Sequence, residues 1–308
     1  LLSLSFLTLV STAATLPRKA YFSKKSFLVT LLLFLLLFIS LFILLFISVV
    51  YYFFFQNKRK NNKIEIVQKE KILDSTLNTK SNYVDYLFPA ATKNQIIHHK
   101  KYSLSYSEIN EQAEWVAYKL FKNSVNNAIK RKDNFREDLS VKTGSATLKD
   151  YINSGYDRGH LAPAKSMSYT DETMSESFYM SNMSPQNPSF NRGVWKKLEE
   201  EVRSLISISD SLYIVTGPVL KNPIERIGES QVTVPRYYYK SIIRFKNNEL
   251  FGIGFLLKNE KSTKSITSFT VSIDSIEKVT GLDFFHHLDT SIQNQLESNT
   301  KFEFFLKK

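Results

Sequence analysis

Cysteine is absent from the 308 residues. That excludes disulfides, cysteine-ligated zinc and thiol catalysis, and such a chain suits either side of a membrane. Acidic residues are in the minority, 29 Asp and Glu against 41 Lys and Arg, for a formal charge of +12. The imbalance favours an anionic partner, nucleic acid or a lipid headgroup. A Lys/Asn-rich composition with a solvated basic surface gives the same count. Internal repeats are lacking. No methionine precedes Met167, and the opening "LLSLSFLTLVSTAA" is apolar without a charged segment before it. Residues 1–25 therefore read as a poor signal peptide, and whether they are translated stays open.

Charge is missing altogether from residues 26–55, "SFLVTLLLFLLLFISLFILLFISVVYYFFF". A span needs only ~20 apolar residues, and this stretch reaches roughly 45 Å as a helix. It is expected to tilt or to end in the interface, where Tyr51, Tyr52 and the phenylalanines that follow belong. Core helices are shorter and amphipathic, so the segment reads as an uncleaved transmembrane anchor. Basic residues on its two sides (Arg18, Lys19, Lys24 and Lys25 before, Lys58, Arg59, Lys60 and Lys63 after) leave its orientation tied.

Residues 56–82 are polar, rich in Lys and Asn and without periodicity, which reads as a linker. From residue 83 to 308 aromatics, strand-like alternation and turn signals persist, over a length of about 225 residues that can bury a proper core. Strands are expected at "KKYSLSYS", around Trp115, at "SGYDRGHLAP" running into a loop, at "LYIVTGPVL" and at "FTVSI". "VTVPRYYYKSIIRF" and "ELFGIGFLL" read as a hairpin turning at "KNN". A short helix is expected at "DETMSESF", a long one over 189–208, and another from Ser275, its N-cap, with Lys278 excluding a capping box. Helices are segregated from strands, which points to an α+β fold around an antiparallel sheet.

Two stretches carry chemistry. In "SGYDRGHLAPA", residues 154–164, strand alternation turns Asp157 and Gly159 one way and Arg158 and His160 the other. A cation beside an imidazole suits a negatively charged substrate. In "FYMSNMSPQNPSFNRGVWKKLEEEVRSL", residues 178–205, a continuous helix from Phe190 would hold Asn191, Trp195, Glu199 and Arg203 within a ~120° arc. Trp195, Leu198, Val202 and Leu205 would seat that helix on the sheet.

"DRGHLAPA", then "FYMSNMSPQ", then "FNRGVWKKLEEEVR" resemble the DNA/RNA non-specific endonucleases, which include mitochondrial endonuclease G and the secreted bacterial sugar-non-specific nucleases. The order and spacing of the three carry the resemblance. It extends over roughly residues 84–285, through "RKDNFRED", "YIVTGPVL" and "VPRYYYK". It implies a ββα-metal (His-Me finger) fold, Mg²⁺ (or Mn²⁺ or another divalent cation) as cofactor, and DNA and RNA as substrates.

His160 is the one histidine with chemical company; His98, His99, His286 and His287 are expected to be solvated. An imidazole near its ordinary pKa accepts a proton from water at neutral pH. Asn191 offers a neutral oxygen to a hard cation, or else caps a helix. Glu199 and Arg203 alone would be an ordinary i,i+4 pair. The family pattern makes Glu199 the holder of a water of the metal and places Arg203 near the transition-state charge. Arg158 is expected to clamp the phosphate. Asn182 is expected to orient the loop or His160, and Asp157 to be structural. Arg131 and Arg136 are the candidate substrate contacts.

These readings make the chain a membrane-anchored, metal-dependent endonuclease. Alternatives are a phosphodiesterase of the same fold on another substrate, or a membrane-tethered nucleic-acid-binding module for uptake. The catalytic domain is expected outside the cytoplasm, because a non-specific nuclease facing its own genome is harmful without an inhibitor.

Overall fold

The computed structural model of the chain describes residues 32–33, 35–58, 88–90, 93–122, 124, 129–247 and 249–306. Residues 1–25, the start of the apolar segment, most of the linker and the domain start at residue 83 lie outside the described residues. The chain divides into two compact units, Leu1–Glu65 and Ile66–Lys308.

In the first unit, helix α1 (Leu35–Lys58) is 24 residues long, with a mean hydropathy of 2.7 in its most apolar stretch. That length and composition suffice to cross a membrane. Ser40 and Ser48 turn their hydroxyls onto the carbonyls of Leu37 (2.8 Å) and Leu45 (2.7 Å). Neither hydroxyl then needs a partner outside the helix.

The second unit is built on an antiparallel seven-stranded sheet. Its strands are β1 (Gln95–His98), β2 (Ser103–Ser107) and β3 (Gln112–Phe121) on one side. The chain then leaves the sheet. It forms the short helix α2 (Leu148–Tyr151), strand β4 (Asp157–His160), helix α3 (Asp171–Glu176), strand β5 (Met183–Gln186) and helix α4 (Lys196–Ser204). It returns as β6 (Ser211–Pro218) and makes a small ribbon of β7 (Glu225–Ile227) and β8 (Val232–Val234). The hairpin β9 (Tyr237–Lys246) and β10 (Glu249–Lys258) and the two-residue β11 (Thr270–Val271) complete the sheet, in the order β1-β2-β3-β6-β9-β10-β11. Helices α5 (Ile273–Thr280), α6 (Thr290–Glu297) and α7 (Phe302–Phe305) close the chain.

The two faces of the sheet follow from strand alternation. Tyr238 and Lys240 of β9 share a face with Thr216 of β6 and Phe255 of β10. The segment leading into α4 packs there, with Phe190 5.4 Å and Trp195 5.6 Å from the Tyr238 ring. Trp195, Leu198, Val202 and Leu205 are all buried, the expected apolar stripe. The opposite face carries Tyr239, whose ring meets Phe284 at 5.6 Å, and the glycines of β10. A Cβ on Gly252 would run into the Leu296 backbone of α6, so only glycine lets that helix lie so close.

Three local expectations change. Helix 189–208 is broken: Gly193 has φ −106° and ψ −109°, inside a wide turn over Phe190–Trp195 that precedes α4. A glycine at a wide turn is a known cause of a kink. The count of 100° per residue therefore does not run from Asn191 to Glu199. "VTVPRYYYKSIIRF" is two strands, since Val232–Val234 pairs with β7 and only Tyr237–Lys246 enters the hairpin. Pro235, without an N–H, separates them. The cap of α5 is Ser272 rather than Ser275, whose own N–H donates to the Ser272 hydroxyl (3.1 Å).

Candidate active site

Strand β4 is the "DRGH" stretch, paired antiparallel with "MSPQ" of β5. The ribbon is fastened to the sheet at Pro185, whose carbonyl accepts from the Tyr238 hydroxyl (2.8 Å) and from Asn259 Nδ2 (3.1 Å). Gly159 sits against the fully buried Gln186 side chain, and any Cβ there would collide with the Gln186 amide group. Both Gln186 amide atoms are buried without a hydrogen-bond partner.

His160 ends the strand in an aromatic cradle, its ring 4.8 Å from that of Phe178 and 5.7 Å from that of Phe135, both edge to face. Its Nε2 is buried and has no hydrogen-bond partner. Burial, then the charges of Arg131 and Arg158, push the imidazole down to about 3. The ring is therefore neutral at physiological pH, but it does not sit near the ordinary histidine value that the sequence reading expected. Arg158 lies over the Phe135 ring (4.4 Å) and Arg131 over the Phe178 ring (4.9 Å), so each guanidinium is seated on a wall of the cradle.

Asp157, at the start of β4, holds the Asn191 side chain. Its Oδ2 accepts from Asn191 Nδ2 (2.9 Å), and Arg192 closes a two-toothed ion pair on the same carboxylate (2.8 and 2.6 Å). With its nitrogen held, the Asn191 amide keeps its oxygen for another partner. Asp157 is thus structural as expected, and what it holds is the Asn191 side chain. The adjacent Arg192 was not singled out by the sequence.

Glu199 and Arg203 lie on α4, both half-buried, and face a third charge. That charge is Lys240, fully buried in β9, with Nζ donating to Thr216 Oγ1 (3.1 Å) and lying 4.3 Å from the Trp195 ring. Burial raises the Glu199 carboxyl, against the pull of Lys240 and Arg203, and burial lowers the Lys240 amine. The sequence gives only a weak signal for it, a lysine among the tyrosines and isoleucines of "YYYKSIIRF", which carries Arg244 as well. Arg131 acts on Glu199 as well as on His160, so it lies within electrostatic reach of both.

Asn182 is fully buried, its Oδ1 accepting from Ala162 N (2.9 Å) and its Nδ2 donating to the carbonyls of Ala162 (3.0 Å) and Ser177 (2.8 Å). It pins the loop that follows His160. Arg136 is half-buried, stacked on Tyr179 (4.0 Å) and donating to the Ser175 carbonyl (2.9 Å). It is not among the charges acting on His160 or Glu199.

Of the other histidines, His98 and His287 are exposed. His99 is not solvated: it is buried, with Nε2 2.9 Å from Asp138 Oδ2 and its ring against Tyr102 and Tyr179. Burial alone would raise the Asp138 carboxyl, but hydrogen bonds from His99 and Ser181 hold it below the ordinary range. His286 is half-buried, with Nδ1 out of contact with water. The sequence hid this because "HH" pairs in polar stretches look alike from outside.

Proteins similar to this chain bear the name nuclease. The chain is similar to a nuclease of the cyanobacterium Nostoc, 33% identical over 218 residues that make up 67% of this chain and 78% of that protein. It is similar to the human mitochondrial nuclease EXOG, 34% identical over 207 residues, 61% of this chain and 56% of EXOG. Among solved structures it matches that of an EndoG/EndoGI complex, which describes EndoG inhibition. That match is 34% identical with a TM-score of 0.62, over 66% of this chain and 90% of the other. The fold is shared with a solved structure of EndoG, and the curated relatives are nucleases. The chain belongs to the DNA/RNA non-specific endonuclease family, whose model matches residues 80–291.

Proposed function

We propose that the chain is a membrane-tethered, divalent-metal-dependent endonuclease that hydrolyses DNA and RNA without sequence preference. The fold read here is the ββα-metal arrangement, made by β4, β5 and the turn leading into α4. The observation that carries the proposal is the pairing on one four-residue strand. At its end His160 is a neutral base with an unpartnered Nε2, and at its start Asp157 aims the Asn191 oxygen.

His160 takes a proton from the attacking water. The water oxygen bonds to phosphorus as the bond to the 3′-oxygen breaks, leaving a 5′-phosphate. Arg158 and Arg131 hold the phosphate oxygens, and Arg203 stands near the charge that develops. Arg136 is a more distant substrate contact. Glu199 holds water for the reaction, with Lys240 and Arg203 keeping its charge in place. Asn182 keeps the loop after His160 in position. The Asn191 oxygen would hold Mg²⁺, and Mn²⁺ or another hard divalent cation suits the same donor. A cation held there would supply neutralisation of the phosphate charge and stabilisation of the leaving oxygen.

Residues 26–55 are the anchor, 56–82 the linker and 83–308 the nuclease domain, with 1–25 left unassigned. The nuclease domain lies outside the cytoplasm, apart from the genome. The names of its relatives fit the need for restraint: EXOG is a mitochondrial nuclease, and EndoG was solved with EndoGI in a study of its inhibition. Full-length protein in detergent, given supercoiled plasmid or folded RNA, is expected to degrade both with MgCl₂ and neither with EDTA. Intact substrates in MgCl₂, with the protein shown to be folded, would reject the proposal.

A further inference from the structure

The face of the sheet away from the nuclease centre holds a second group of chemical side chains. Asp274 and Glu277 stand one turn apart on α5, and Glu297 is the last residue of α6. One carboxylate oxygen from each lies within 4.8 Å of the other two. The three differ in exposure: Asp274 is exposed, Glu277 half-buried, and Glu297 only 4% exposed. Glu297 Oε1 is buried and has no hydrogen-bond partner. Among the described residues none of the three carboxylates forms an ion pair. A buried carboxylate beside two others, without a cation, is an unfavourable arrangement unless something neutralises it.

We propose that Asp274, Glu277 and Glu297 form a structural site for a calcium ion that ties α6 to α5. All three donors are hard carboxylate oxygens, the class that calcium takes. Oxygens on opposite sides of Ca²⁺ are about 5 Å apart, and those across Mg²⁺ about 4 Å. Three oxygens within 4.8 Å of one another can all reach one ion of calcium's size. The exposed Asp274 leaves a way in and room for waters to complete the shell. Glu277 is already fixed, its Oε1 accepting from Phe284 N (2.7 Å). An ion here would clamp the helix that Gly252 admits against β10.

The site is separate from the nuclease centre. α5 and α6 pack on the face that carries Gly252 and Gly254, whereas Lys240 and α4 share the other. Glu297 also lies beyond residue 291, where the family match ends. The proposal therefore stands or falls independently of the catalytic reading.

The test is thermal unfolding of the full-length protein in detergent, chelator-treated and then titrated with CaCl₂. Wild type is expected to gain about 5–10 °C at a hundredfold excess over the dissociation constant. Asn191→Ala, which removes the ligand assigned to the other centre, is expected to keep that gain. Glu297→Gln and the double variant Asp274→Asn/Glu277→Gln are expected to lose it. The double variant alters the two more accessible positions and decides the matter if Glu297→Gln does not fold. No gain in wild type, or an equal gain in the double variant, would overturn the site. Loss of the gain in Asn191→Ala would also overturn it, since the response would then belong to the nuclease centre. A gain with MgCl₂ but none with CaCl₂ would overturn the assignment to calcium.

Discussion

His160 owes its protonation state to its surroundings, and this has a consequence for stability. In the folded chain the ring stays neutral down to about 3, with burial the main cause. In the unfolded chain it takes a proton near the ordinary histidine value of about 6.5. Between those values the unfolded state binds more protons, so stability falls as pH drops through the window. Asp138 adds to this: its lowered carboxyl stabilises the fold at neutral pH, and that contribution is lost as acid protonates it. The raised Glu199 carboxyl works in the opposite sense over the same window, since the fold keeps a proton there that the unfolded chain gives up. The histidine contribution is therefore read by comparing the melting temperature lost by wild type and by His160→Gln from pH 6.5 to pH 4. His160→Gln should lose less over the same interval, because the histidine contribution is gone. Parallel curves for the two proteins would show that the ring is not held neutral.

The elements that carry the site differ in how readily the sequence discloses them. Strand β4 was legible because alternation alone puts Arg158 and His160 on one side, and the structure seats both on the Phe135 and Phe178 cradle. The stripe of α4 was legible because Leu198, Val202 and Leu205 repeat at helical spacing. Asn191 is not placed by helical phase: the break at Gly193 takes it off the regular helix, and its side chain is held by Asp157. Lys240 escaped because its partner Glu199 is 41 positions earlier in the sequence, and no local pattern connects them. Glycine 252 escaped too, since only the packed structure shows what lies against it. Gly252→Ala puts a methyl group into the Leu296 backbone, including a carbon 2.9 Å away. α6 would have to shift, at a cost of about 1–3 kcal/mol. Chemical denaturation measures this; an unchanged midpoint would mean that α6 yields freely.

For the whole molecule, the net charge of +12 favours an anionic partner, and the proposed anchor rests on the length and composition of α1. Fractionation of cells expressing the full chain is expected to leave it in the membrane pellet after a salt wash, since burial of α1 in lipid is insensitive to screening. Release by salt alone would instead make the association electrostatic and the helix no anchor. The catalytic claim, a base and a metal ligand set at opposite ends of one strand, has a more direct test: Mg²⁺ titration of plasmid cleavage by His160→Ala and Asn191→Ala, each shown to be folded by circular dichroism. Losing a positioned base costs ~10²–10⁴-fold in rate, so His160→Ala should stay that far below wild type at every Mg²⁺ concentration. Asn191→Ala should start as low and recover part of its activity as Mg²⁺ rises. Equal rescue of both variants, or retention of more than about a tenth of wild-type activity by His160→Ala, would contradict the division of roles between the two residues.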